Sequence, residues 1–265
     1  MNDLAGISET NRRYLTQLHR HTSGLVDVGE AARLLEMDRT KASKLLARLA
    51  SQGWARRLRR GVYLLIPLEA TSPDDWSIDP WIVADYLFRP AYIAGWSACE
   101  HWGFTEQIFR DVAVFTASEI RERSLTVDRT VYVLRKIPEE LLFGTRAIWR
   151  GDARVYVSDP TRTIVDILDD PKWGGGVRHV TRVLEAYLAS EHHDPNLLLD
   201  YLDRAGNFAV AKRLGYLLET VPGDHSSLID ELQSRISEGY ALLDPGAPPK
   251  GPFVARWKIR VNVEI

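Results

Sequence analysis

DVGEAARLLEMDRTKASKLLARLASQGWARRLRRGVYLLIPL, residues Asp27 to Leu68, is the stretch that decides the fold. Asp38 is a good N-cap, the chain then runs to Gln52 without Pro or Gly, and Gly53 supplies a helix-ending residue. This predicts one helix of about four turns. Within it Ala42, Leu45, Leu46 and Leu49 recur at i, i+3, i+4 and i+7, which makes one apolar stripe for a core. Thr40, Lys41, Lys44, Arg48 and Ser51 fall roughly opposite. A short helix from about Gly29 to Glu36 precedes it, and its Ala31 and Ala32 permit two helices to approach closely around Met37. Helix, tight turn, helix is the expected order.

After Gly53 the period changes. Trp54 to Leu58 and Val62 to Ile66 are β-rich runs flanking Arg59-Arg60-Gly61, the pattern of a hairpin. Between Arg39 and Leu68 there are eight Lys or Arg and no Asp or Glu. Such a run on its own is an ordinary solvated surface. Coinciding with helix, turn, helix and hairpin, it points to a winged helix-turn-helix that binds double-stranded DNA. The candidate contacts are Arg39, Thr40, Lys41, Ser43, Lys44 and Arg48 on the second helix, with Arg56, Arg57, Arg59 and Arg60 on the wing. Thr10 to His21, with Tyr14, Leu15 and Leu18 as its apolar side, completes a three-helix base. Its Arg12, Arg13 and Arg20 are either surface charges or contacts to backbone phosphates.

An apolar content of 45% with 26% charged residues is that of a globular chain rather than a disordered one, and 265 residues suffice for two domains. The net charge of −2 is unevenly spread: residues 1 to 68 hold twelve Lys or Arg against six Asp or Glu, so this end is +6 and the remainder −8. A single cysteine, Cys99, rules out an intramolecular disulfide and a cysteine-based structural zinc site, and fits a reducing cytoplasm. The polar N-terminus lacks a signal-peptide apolar region, and no run approaches the ~18 apolar residues that cross a bilayer. The expected class is α+β: a winged domain at 1–68, a linker at 69–80 containing Thr71-Ser72-Pro73-Asp74-Asp75, and a larger mixed α+β domain at 81–265 whose last third is mostly helical.

In that domain Asp79-Pro80 reads as an N-cap with proline at N1, opening a helix that carries Trp81, Ile82, Ala84 and Tyr86 inward. A short helix near Ser97 ends at Gly103, and the aromatics around it read as core rather than as a base-stacking platform. Strands are expected at Val112–Thr116, Thr130–Leu134, Arg146–Trp149 and Arg154–Val157. Helices follow from Pro160, after Lys172-Trp173-Gly174-Gly175-Gly176, and at about Pro195–Ala205, Phe208–Thr220 and Ser226–Ser237. Alternation of Trp257, Ile259, Val261 and Val263 predicts a terminal strand.

No catalytic constellation stands out. A serine-hydrolase elbow, a Walker-type glycine loop and a two-histidine zinc helix are all missing. The triple glycine reads as a connection. The acidic residues Asp152, Asp159, Asp166, Asp169 and Asp170 include an expected cap, Asp159, and a pair, Asp166 and Asp170, expected on an exposed helix face. His192 and His193 are expected to face solvent. The competing class is a metal-dependent nucleic-acid-processing enzyme that uses Asp159 or Asp166 with magnesium and the winged domain as its grip.

Arg60-Gly61-Val62-Tyr63 after the helix-turn-helix, Tyr92-Ile93-Ala94-Gly95-Trp96-Ser97-Ala98 continuing to Trp102-Gly103-Phe104-Thr105-Glu106-Gln107, and Ser158 to Asp166 together resemble the AbiEi antitoxins of type IV toxin–antitoxin systems. The resemblance covers roughly residues 8 to 220 and leaves the segment from about Leu243 unassigned. It implies a non-enzymatic, cofactor-free protein linked to abortive phage infection. Its winged domain would bind inverted repeats upstream of its own operon, and its C-terminal domain would counteract a nucleotidyltransferase toxin.

Overall fold

The computed structural model describes residues 6–70, 72 and 76–265, so Thr71 and Pro73 to Asp75 of the turn-rich linker and the first five residues lie outside it. Contacts divide the chain into two units. One holds the residues up to Leu87 with Thr126–Thr130 and Trp149–Val155, and the other holds Phe88–Leu125, Val131–Ile148 and Tyr156–Ile265.

The first unit runs α1 (Glu9–His21), β1 (Leu25–Asp27), α2 (Val28–Leu34), α3 (Arg39–Ser51), β2 (Ala55–Arg59), β3 (Val62–Leu65) and α4 (Pro80–Phe88). The expected stripe is the core: Ala42, Leu46 and Leu49 of α3 are fully buried with Leu15 and Leu18 of α1, Ala31 of α2 and Leu65 of β3. Each buried leucine contributes about 1.5–3 kcal/mol. The sheet has three strands in the order β1-β3-β2, one more than expected, because β1 is too short to show a period. It pairs antiparallel with β3 through Leu25↔Leu64, Val26↔Tyr63 and Asp27↔Val62. The next residue, Val28, donates its N–H to the Gly61 carbonyl at 3.0 Å, and Asp27 caps α2 by accepting from the Gly29 and Glu30 N–H groups. The wing turn is thereby tied to the start of α2.

The inward face of α4 differs from the expectation. Val83, Ala84, Leu87 and Phe88 are buried, whereas Trp81, Ile82 and Tyr86 are half-buried. The cause is polar: the Tyr86 hydroxyl donates to Glu30 at 2.9 Å, and the Trp81 ring carries the Arg150 guanidinium 4.2 Å from its centre. Both groups hold these side chains at the rim.

After α4 the chain forms β4 (Ala91–Ile93), α5 (Gly95–His101), β5 (Val112–Thr116), β6 (Ser124–Val127), β7 (Thr130–Lys136), β8 (Thr145–Arg150), β9 (Ala153–Ser158), α6 (Pro160–Asp169), α7 (Val177–Leu188), α8 (Pro195–Ala205), α9 (Phe208–Leu218) and α10 (Ser226–Gln233), with the ends of β6 to β9 that lie in Thr126–Thr130 and Trp149–Val155 belonging to the first unit. Three two-residue strands close it: β10 (Ala241–Leu242), β11 (Phe253–Val254) and β12 (Ile259–Arg260). The six-stranded sheet has the order β6-β7-β5-β4-β9-β8 and is mixed, with β4 antiparallel to β5 but parallel to β9, and β5 parallel to β7. The chain is α+β, as expected. Strands β4 and β6 were not foreseen, the first for its three residues and the second for its polar, mostly exposed sequence.

Helix α6 corrects the expectation for Asp166. It packs against α5, α7, α8 and α9, and every residue from Pro160 to Leu168 is buried. Asp166, only 3% exposed, accepts from Arg162 Nε at 2.8 Å and from the Tyr92 hydroxyl at 3.1 Å, while Arg162 Nη2 donates to that hydroxyl at 3.0 Å. Burial alone would lower the Arg162 pKa, but the adjacent Asp166 carboxylate raises it, so the guanidinium stays charged. Asp159 is the expected cap, accepting from the Arg162 N–H at 2.7 Å, and it also accepts from the Tyr201 hydroxyl at 2.7 Å. Asp170 is half-buried and paired with Lys172 at 2.6 Å.

The expected terminal strand is broken. Ala255–Trp257 forms a 3-10 turn and Lys258 takes a left-handed backbone, φ 46°, between β11 and β12. Trp257 and Ile259 are nevertheless fully buried, and the indole lies so close to α9 that a Cβ at Gly215 would stand 1.9 Å from it. His192 and His193 are likewise half-buried rather than in solvent, edge-on to Trp102 and Tyr187. Of the aromatics around α5, Tyr92 and Phe104 are core as expected, while Trp96 and Trp102 are half-buried and pack against it, Trp96 stacking on buried Trp173 at 5.5 Å. Gly174 to Gly176 is a connection, left-handed at Gly175 and Gly176.

Asp166→Ala should cost about 3–5 kcal/mol of unfolding free energy, because it strands a buried guanidinium. The double variant Arg162→Met, Asp166→Leu should recover most of that loss. Denaturant titration of both variants measures the difference.

Candidate nucleic-acid interface

The face of α3 opposite its apolar stripe is exposed at Arg39, Thr40, Lys41, Ser43, Lys44 and Arg48. Both ends of the helix are closed, so its rotational phase is set. Asp38 accepts from the Lys41 N–H at 2.8 Å, which together with the Lys41 side chain holds the Asp38 carboxyl below the usual carboxylate range. At the other end Gly53 has φ 82°, and the Trp54 N–H donates to the Leu49 carbonyl at 2.9 Å, a Schellman closure.

In the wing, period-2 alternation sorts the arginines. Arg57 and Arg59 are on the exposed face of β2, Arg60 is exposed at the turn, and Gly61 closes it with φ 78°. Arg56 falls on the other face, half-buried, and its Nη2 donates to the Trp76 carbonyl and to Asp128, each at 2.9 Å. Four wing arginines adjacent in sequence are therefore not adjacent in role, and the alternation that separates them was present in the sequence. Lys41 lies 3.4 Å from Asp38, but among the described residues none of Arg39, Lys44, Arg48, Arg59 and Arg60 has an ion-pair partner. Unpaired exposed cations on a capped helix and an adjacent hairpin can neutralise phosphates, and Thr40 and Ser43 add hydroxyl donors.

Residues 13–66 match the AbiEi_4 family model, described as transcriptional regulator, AbiEi antitoxin. Over this stretch the chain is similar to the AbiEi antitoxin regulators. This family match covers α1 through the wing and no part of the second unit. No curated protein matches the chain. Among the described residues no helix is long and apolar enough to cross a membrane, and no three His, Cys, Asp or Glu side chains are grouped to hold a metal ion.

The Asp38 cap gives a pH signature. Because its folded pKa is depressed, its contribution to stability is complete above the unfolded carboxylate value and is lost as pH falls through the folded one. Asp38→Ala should lower the melting temperature at pH 7 and flatten its dependence on pH at the acid end. Asp38→Asn, which still caps, should keep the neutral-pH melting temperature, and thermal melts across pH show both effects.

Proposed function

We propose that this protein is a sequence-specific DNA-binding autorepressor and antitoxin, with α3 in the major groove of inverted repeats upstream of its own operon. The observation that carries this proposal is the exposed, unpaired set of Arg39, Lys44 and Arg48 on α3 with Arg59 and Arg60 on the wing, within the segment that matches the AbiEi regulators. Arg39, Thr40, Lys41, Ser43, Lys44 and Arg48 supply base and phosphate contacts, each good bidentate base contact giving about 1–3 kcal/mol of discrimination. Arg57, Arg59 and Arg60 add affinity through phosphates, and Arg56 braces the wing through Asp128. Residues 1–68 are the DNA-binding domain, 69–80 a linker, and 81–265 the antitoxin domain. It acts in the cytoplasm, without a cofactor, against a nucleotidyltransferase toxin. Magnesium-dependent processing of nucleic acid is the weaker alternative, since its two leading carboxylates, Asp159 and Asp166, are engaged with Tyr201, Arg162 and Tyr92.

Titration against the upstream duplex at varied salt tests the assignment. Arg59→Ala with Arg60→Ala should weaken binding to every sequence and reduce the slope of log affinity on log salt by roughly one to two units. Arg56→Ala should leave that slope intact and lower the melting temperature. A slope that responds to Arg56 and not to Arg59 and Arg60 contradicts the placement of the wing.

A further inference from the structure

Helix α1 carries a second cationic surface that the α3 and wing contacts do not use. Leu15 and Leu18 face the core, and on the outer side Arg12, Arg13, Thr16, Gln17, Arg20 and His21 line a groove of about 570 Å³. Its floor is fixed against α2, because Gln17 Nε2 donates to the Leu34 carbonyl at 2.7 Å. None of the Arg12, Arg13 and Arg20 side chains has an ion-pair or hydrogen-bond partner among the described residues, and no carboxylate lines the groove.

We propose that this groove holds the phosphate backbone of duplex DNA, as a second, sequence-independent contact in addition to that of α3; the proposal rests on the DNA-binding function above. Three lines of chemistry select this occupant. Arginine, threonine and glutamine are phosphate-contacting side chains, and Arg12 to Arg20 spans about 12 Å at 1.5 Å per residue. That length lets the three guanidinium groups reach successive phosphates of one strand. An acidic protein partner would call for a buried aromatic or aliphatic anchor, and the groove offers none. A single-stranded nucleic acid would call for a row of aromatic rings on which successive bases stack, and His21 at the end of the lining supplies a single ring.

The test uses the full chain with Arg12→Ala, Arg13→Ala and Arg20→Ala together, and a parallel triple Gln variant in case the Ala version unfolds. Both are titrated at several salt concentrations against the upstream duplex and a scrambled one. The salt slope should fall by about two to three units, from about 0.9 per phosphate released. The ratio of upstream to scrambled affinity should stay unchanged, and hydroxyl-radical protection should be lost at phosphates flanking the α3 footprint. A folded variant with the wild-type slope and footprint overturns the proposal. Loss of co-elution with the neighbouring gene's product at an unchanged slope overturns it as well, and makes the groove a protein surface. Wild-type protein that binds no duplex defeats the DNA-binding function itself, whereas the other two contrary outcomes leave that function standing.

Discussion

Everything proposed for the first unit depends on one packing constraint: α3 must bury Ala42, Leu45, Leu46 and Leu49 while leaving its other side in water. A thirteen-residue helix with apolar residues on a single stripe has one rotational phase that satisfies both demands. That phase points Arg39, Lys44 and Arg48 outward. The Asp38 cap and the Gly53 closure stop the helix from fraying at either end, and the Val28–Gly61 hydrogen bond ties the wing turn to the start of α2. The cations are therefore presented by a scaffold whose ordering cost is met by the core rather than by the ligand.

The second unit solves a different problem. Its central helix, α6, is covered on all the sides that an amphipathic helix would leave open, yet its sequence retains Arg162 and Asp166. Charges so deeply buried survive because they pair at i and i+4 and share Tyr92 as a third member. Asp159 performs two tasks at the start of the same helix, capping its backbone and receiving the Tyr201 hydroxyl of α8. Burial and the Asp159 hydrogen bond push that phenol up to about 12. The acidic residues that suggest a metal site in one dimension thus serve in three dimensions to join β4, α6 and α8.

The winged domain was almost fully legible because its signals are local: caps, an unbroken apolar stripe, and glycines at the end of α3 and in the wing turn. Only β1 escaped, since three residues carry no period and its partner lies almost forty positions away. In the second unit the strands and helices were largely readable while the environment of their side chains was not. Asp166 looks like a solvated face until Tyr92 of β4 and Arg162 enclose its carboxylate. The terminal alternation put Trp257 and Ile259 on one face, and both are buried with the indole against Gly215, but a 3-10 turn and a left-handed Lys258 interrupt the strand it predicts. For the interface, helix periodicity placed the α3 residues outward, whereas Arg56 required the strand alternation to be applied to each arginine in turn.

The central claim is that α3 and the wing form a sequence-reading surface for the operator. A hydroxyl-radical footprint of the full chain on its own upstream DNA, beside a scrambled duplex of equal length, addresses it most directly. Two protected half-sites related by inverted symmetry are expected, spaced by about one helical turn or a multiple of it, with the scrambled duplex unprotected. Uniform weak protection of both duplexes would contradict it, and would leave the winged domain a general grip on nucleic acid.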